Sequence, residues 1–359
     1  MTRLYVALAY RFPATSNSRG IDLKPRIAVM IPDSIPNNLG RRIIASQDIE
    51  RLKGFAEVVN GPMPDGDPAR VKEVIAGADG CITSWDIPLL TADLLDRAPS
   101  LKMIAHAAGS VKSIVTEAVW DRGISVSSAA SAIAVGVAEH ALGLMLSSMK
   151  RCYQLNDHIH NGGWRDPVEM ERIKETYRIN VGVVGAGHAG RHFIRLLKCF
   201  DLETLLYDPF VSRHRAEEMG VVSCDSLDDM VRQSDVISLH APSLPETHHM
   251  INAQNLKMMK DGAIIINTAR GSLIDEAALY EELKTGRITA CLDVTDPEPP
   301  AEDHPLRTLP NVIFTPHISG VSSNNIARVG NLAVMELERF FSGKPLEHQV
   351  TKEQLQQIA

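Results

Sequence analysis

Runs of consecutive apolar residues alternate along this chain with longer stretches in which apolar residues return at helical spacing. In the first part, 26–31, 56–59, 80–83, 103–105 and 124–126 predict strands, with helical stretches such as 69–76 and 91–97 between them. Strands that are apolar throughout and alternate with helices belong to a parallel sheet covered on both faces. A small-residue stretch, 129–134, then leads into a helix over 137–149. Its apolar residues, among them Ala141, Leu142, Leu144, Met145 and Leu146, run almost all round, which predicts burial at a domain or subunit interface. Asn161-Gly162-Gly163-Trp164 marks a turn, with Trp164 as an interface anchor.

From 180 the alternation restarts more clearly. Strands are expected at 181–184, 204–207, 235–239, 263–267, 288–292 and 312–314, and helices near 189–199, 214–219, 226–232, 275–284 and 323–341. This pattern predicts a doubly wound sheet, whose ligands lie beyond the carboxyl ends of its strands. The last helix, 324–342, should cross back to the first unit. The expected fold is therefore α/β with two doubly wound parallel-sheet domains. The first covers 1–133, with 325–359 returning to it, and the second covers 134–324.

Composition narrows the class. A chain of 359 residues, 44% hydrophobic and 23% charged, is long enough for two domains with ordinary cores. Its net charge of −7 and lack of a basic block speak against a nucleic-acid groove. The five cysteines (Cys81, Cys152, Cys199, Cys224, Cys291) are scattered and form no C-x-x-C, which reads as reduced thiols in a cytoplasmic protein without a metal site. Residues 1–10 are too short and poorly flanked for a signal peptide. No apolar run of 18 residues is expected anywhere, hence no membrane partner. Residues 12–24 read as a loose arm without function.

The chemistry begins at Val181-Gly182-Val183-Val184-Gly185-Ala186-Gly187-His188-Ala189-Gly190, a β-branched run that ends in Gly-x-Gly-x-x-Gly before a helix. Gly185 allows the tight turn, Gly187 lets a pyrophosphate approach the backbone, and Gly190 lets helix and strand pack closely. Free amides at the helix start favour a dianionic linker. A second apolar run ends in Asp208, 18 residues past Gly190, about where a carboxylate should accept bonds from an adenosine ribose. The pattern predicts a dinucleotide site.

Three ionisable residues follow strands of the second unit: Arg270 after 264–269, Glu298 six residues beyond 288–292, and His317 after 312–316. A histidine titrating near neutrality can take or give a hydroxyl proton, and a carboxylate beside it favours the imidazolium form. An arginine can hold a substrate carboxylate through two parallel hydrogen bonds. Each residue alone is commonplace; their convergence on one sheet edge predicts hydride transfer involving a hydroxy acid.

These stretches resemble the D-isomer-specific 2-hydroxyacid dehydrogenases. The resemblance rests on 183–190, Leu239-His240-Ala241-Pro242 with Glu246-Thr247, Ile266 through Glu276, Asp293-Val294 with Glu298-Pro299, Thr315 through Gly320, and Val137-Ala138-Glu139-His140. Together they cover most of 100–345. The resemblance implies a Rossmann NAD-binding domain, with Arg270 holding the substrate carboxylate, His317 as acid/base and Glu298 as its partner. It implies an NAD site built from Gly185, Gly187, His188, Ala189, Gly190, Asp208, His240, Ala241, Pro242, Thr268, Ala269, Arg270, Asp293 and His317. Asp208 favours NAD over NADP by repelling a 2′-phosphate, although Arg213 and Arg215 lie close. Glutamate at 298 argues against formate dehydrogenase, where glutamine would stand. No added regulatory domain is seen after the last helix, which disfavours a feedback-regulated phosphoglycerate dehydrogenase.

The departures fall in the substrate loop. Where the family carries Gly-x-Gly-x-Asp, this chain has Ala108-Gly109-Ser110-Val111-Lys112, and where Gly-Ala-Asn is common it has Ser131-Ala132-Ile133. Ala108, Gly109 and Ser110, with Arg270, are the expected substrate-binding residues, and Lys112 can meet an anionic tail. His158 with His160 and His248 with His249 lack the i, i+4 spacing of a zinc pair. His140 reads as a packed or capping residue. The expected activity is NAD-dependent interconversion of a D-2-hydroxy acid and its 2-keto acid by a homodimer. The rival is a dimerising regulator that binds NAD(H) without turnover, because fold does not fix function.

Overall fold

A computed structural model describes residues 24–35, 39–60, 63, 65–321 and 324–358. The expected N-terminal arm therefore lies almost wholly outside the described residues. Among these residues, thirteen strands form two sheets. In chain order they are β1 (Arg26–Val29), β2 (Glu57–Asn60), β3 (Gly80–Thr83), β4 (Met103–His106), β5 (Ser125–Ser128), β6 (Asn180–Val184) and β7 (Glu203–Tyr207). They continue with β8 (Val222–Ser223), β9 (Val236–Leu239), β10 (Ile264–Asn267), β11 (Thr289–Leu292), β12 (Val312–Phe314) and β13 (Gln349–Val350).

The first sheet has the order β13-β5-β4-β3-β1-β2 and the second β12-β11-β10-β9-β6-β7-β8. Every residue of β3, β4, β9, β10 and β11 is buried, which is what uninterrupted apolar runs between two helical layers require. All pairings in the second sheet are parallel. In the first sheet β13 runs antiparallel to β5, so this sheet is not purely parallel as expected. In the second sheet the winding reverses between β6 and β9, and a crevice opens there beyond their carboxyl ends.

The helix expected over 137–149 begins earlier, at Ala130, and runs 20 residues to Met149. Alanine-rich turns propagate it upstream without a periodic apolar signal. Ala129 and Ala132 pack in the first sheet's core, whereas Ala138, Ala141, Leu144, Met145 and Met149 pack in the second's. The expected boundary at 133/134 thus falls inside one continuous helix. By length and composition alone this helix is apolar enough to cross a bilayer. Its buried positions are shared between two protein cores.

Helix Ile326–Phe341 returns to the first sheet, where Ile326, Val329, Ala333, Val334 and Leu337 pack with Ile27, Val29, Ile82 and Met103. Gly330 is needed because a Cβ there would lie 1.9 Å from the Ile43 carbonyl oxygen. Glu336, 1% exposed, accepts the amides of Glu347 and His348 at 3.2 and 3.0 Å and turns the chain into β13.

Candidate functional site

The glycine turn follows β6 directly. Gly185 has φ +91°, and a Cβ there would come 2.9 Å from the Ala241 backbone. A Cβ at Gly190 would lie 2.0 Å from the Gly185 carbonyl oxygen, so strand, turn and helix His188–Leu197 close on one another. Gly187 differs. Nothing lies within 4 Å of a Cβ built there, and no side chain caps the helix it opens. Asp208, at the end of β7, accepts the Ala186 amide at 2.7 Å and the Phe210 amide at 2.9 Å, which locks the turn from the side. The two nearby arginines are engaged: Arg213 meets both oxygens of Asp225, at 2.7 and 2.5 Å, and Arg215 pairs with Glu218 at 2.5 Å.

His240 sits beneath this turn and is buried. The ring packs on Phe193 with centroids 5.1 Å apart and meets Ser238 Oγ through Nε2 at 2.9 Å. Burial drives its pKa from 6.5 to about 4, so it is neutral. His240 and Ala241 are buried and Pro242 is partly exposed, and the Pro242 carbonyl accepts from Thr247 Oγ1 at 2.7 Å. Thr268 Oγ1, just beyond β10, is buried without a hydrogen-bond partner. Open space over Gly187, an uncapped helix start and an orphaned hydroxyl fit a dinucleotide laid along this edge.

Arg270 follows the same strand. Asn267 shapes its turn by donating to the Arg270 carbonyl at 2.8 Å and accepting the Ala269 amide at 3.1 Å. The guanidinium donates to the Ala269 carbonyl at 2.7 Å, and burial lowers its pKa while nearby Glu298 raises it. His317 Nδ1 and Glu298 Oε1 stand 2.6 Å apart, with both side chains close to half exposed. The structure therefore brings all three expected catalytic residues to one edge.

Asp293 explains how His317 is presented. Its carboxylate is buried and accepts Thr315 Oγ1 at 2.5 Å and the amides of Ile318 and Ser319 at 3.0 Å each. The His317 amide bonds the Asp293 carbonyl at 2.8 Å, and His317 takes the left-handed φ of +51°. Burial pushes the Asp293 carboxyl up, but the donated hydrogen bonds outweigh it and hold the group below its usual range. His140, set aside in the sequence, reaches this network: its Nε2 lies 3.1 Å from Thr315 Oγ1 and 3.9 Å from Asp293 Oδ1. The motif residues 137–140 were the available signal.

The substrate loop follows β4. Ala108 is fully buried and its carbonyl accepts the Ala129 amide at 3.1 Å, so its side chain does not face the cleft. Gly109 and Ser110 are partly exposed, and Ser128 Oγ donates to the Gly109 carbonyl. Buried His106 meets Thr83 Oγ1 at 2.9 Å and hydrogen-bonds the Ser110 backbone, and burial lowers its pKa to about 4. Further along the loop, partial burial and then repulsion from the Arg270 guanidinium lower the Lys112 ammonium pKa.

A parallel doubly wound sheet with this glycine turn and this Arg, Glu and His edge defines a dinucleotide-binding α/β protein. Residues 142–319 match the NAD-binding domain of the D-isomer-specific 2-hydroxyacid dehydrogenases. The chain is 32% identical over 323 residues to glyoxylate reductase of Thermofilum pendens, covering 88% of this chain and 94% of that protein. It is 37% identical over 264 residues to D-3-phosphoglycerate dehydrogenase of Methanocaldococcus jannaschii, covering 73% of this chain. It spans about half the length, 49%, of that and a second such dehydrogenase from Archaeoglobus fulgidus. The solved structure of Rhodotorula graminis D-mandelate dehydrogenase, 25% identical, aligns with TM-score 0.74 over 92% of this chain and 98% of its own. The chain belongs to the D-isomer-specific 2-hydroxyacid dehydrogenase family.

Proposed function

We propose that this chain is an NAD-dependent enzyme that interconverts a D-2-hydroxy acid and its 2-keto acid. The observation that carries this reading is the 2.6 Å contact between His317 and Glu298 on the edge that holds Arg270. With Nδ1 engaged by Glu298, Nε2 of His317 is left to take the hydroxyl proton in oxidation or return it in reduction. Arg270 holds the substrate carboxylate, with its half-buried position strengthening the attraction. NAD, when bound, supplies the two-electron redox chemistry. Gly185, Gly187, His188, Ala189 and Gly190 carry its pyrophosphate, Asp208 its adenosine ribose, and Thr268 and Asp293 the nicotinamide end. The pairing of Arg213 and Arg215 with Asp225 and Glu218 supports NAD over NADP.

Lys112, a cation on the substrate loop whose ammonium feels the Arg270 guanidinium, supports a substrate with a second anionic group, such as a phosphorylated or dicarboxylic 2-keto acid. The two-domain division, with 325–358 returning to the first unit, encloses that substrate between the sheet edges. A second copy pairs through the partly exposed face of helix Ala130–Met149 and the segment after it, where Trp164 is 74% exposed and helix Cys152–His160 buries no residue.

The test is NADH oxidation with glyoxylate, hydroxypyruvate, pyruvate and phosphohydroxypyruvate. His317→Ala should cut turnover by about 10²-fold or more while NADH still binds. Lys112→Ala should raise KM for phosphohydroxypyruvate selectively. Tight NADH binding with no turnover of any acid would instead identify a regulator.

A further inference from the structure

The loop that carries Glu298 is held two residues before it. The Asp296 amide donates to Glu276 Oε1 at 2.9 Å. Glu276 opens helix Glu276–Leu283, whose start is fixed by the Asp275 side chain accepting the Ala278 amide. The other Glu276 oxygen lies 3.2 Å from His304 Nε2, and the two side chains are only 12% and 18% exposed. The carboxylate thus holds the 296 end of the excursion from 296 to 304 by a hydrogen bond and meets the 304 end only as a close contact outside hydrogen-bond geometry. Burial pushes the Glu276 carboxyl up, while the Asp296 amide and His304 draw it back.

Gly271 completes the cradle. A Cβ there would lie 2.1 Å from the Thr295 carbonyl carbon, so the turn after Arg270 and the Glu298 loop are in backbone contact. Within the loop, Thr295 Oγ1 donates to the Pro297 carbonyl at 3.0 Å. Two half-exposed side chains meet reproducibly only when both backbones are fixed. Asp293 fixes the His317 side; the Glu298 side needs its own anchor.

We propose that Glu276 is a positioning residue of the site: by holding the Asp296 amide, with His304 close to its other oxygen, it sets where Glu298 stands relative to His317. The inference rests on reading Glu298 as the partner of the acid/base. It is read in the full chain by hydrogen exchange of the 294–300 amides, together with kcat and KM for NADH and hydroxypyruvate. Glu276→Ala should speed exchange in that segment several-fold and lower kcat about tenfold or more, with KM for NADH unchanged. Glu276→Gln, which keeps an oxygen for the Asp296 amide, should recover most of both. His304→Ala should give a smaller effect in the same direction. Unaltered exchange and kcat in Glu276→Ala, or equal loss in the Gln and Ala variants, would overturn the proposal. Full turnover by Glu298→Ala would instead remove the reading beneath it, whatever the exchange data show.

Discussion

Asp293 shows how much one buried carboxylate can organise. Three donors converge on it: the Thr315 hydroxyl and the amides of Ile318 and Ser319. Asparagine would set an amide NH2 against some of those donors. Asp293→Asn is therefore expected to lose about 1.5–3 kcal/mol of stability, the scale of a charge-assisted bond in a covered site. It should also lower turnover, because His317 is carried between Thr315 and Ile318. Urea unfolding and steady-state kinetics with NADH check both; undiminished turnover would show that the His317 conformation does not depend on this carboxylate.

At the scale of elements, the glycine turn separates roles that the motif merges. Gly187→Ala meets no atom within 4 Å and should leave stability within about 1 kcal/mol, yet it fills the space over the helix start and should weaken NADH binding tenfold or more. Gly190→Ala drives a Cβ to 2.0 Å from the Gly185 carbonyl oxygen and should destabilise the fold itself. Thermal melts and NADH fluorescence titration distinguish the two. If Gly187→Ala binds NADH normally, the pyrophosphate lies elsewhere. The same scale shows what was readable in the sequence. Long apolar strands were clear, and so were Arg270, Glu298 and His317, because each follows such a strand. Strands β8 and β13, two residues each, have no run to detect. The start of helix Ala130–Met149 was hidden because small residues carry little periodic contrast. His140 lies in a recognised motif, 137–140, but its role was not readable there because its partner Thr315 is 175 positions away.

The whole molecule carries a neutral buried histidine beneath each functional loop, His106 under the substrate loop and His240 under the glycine turn. Burial lowers both from 6.5 to about 4. The unfolded chain then binds more protons between those values, so stability is complete above about pH 6.5 and falls as pH drops toward 4. By pH 5 each histidine should cost roughly 2 kcal/mol. Urea midpoints at pH 7 and 5 measure this, and His106→Gln with His240→Gln should flatten the difference. An equal slope in the double variant would assign the acid sensitivity to other groups.

The antiparallel partner of β5 comes from residues 349–350, after the entire second sheet. During synthesis, β5 must therefore emerge and wait with its outer edge unpaired while β6 to β12 are made. The second sheet has all its strands in one unbroken segment and can close first. The first sheet gains its last strand only when Glu336 has turned the chain back. Order of synthesis and order of completion are thus reversed in this protein, and an open strand edge persists for more than two hundred residues of elongation.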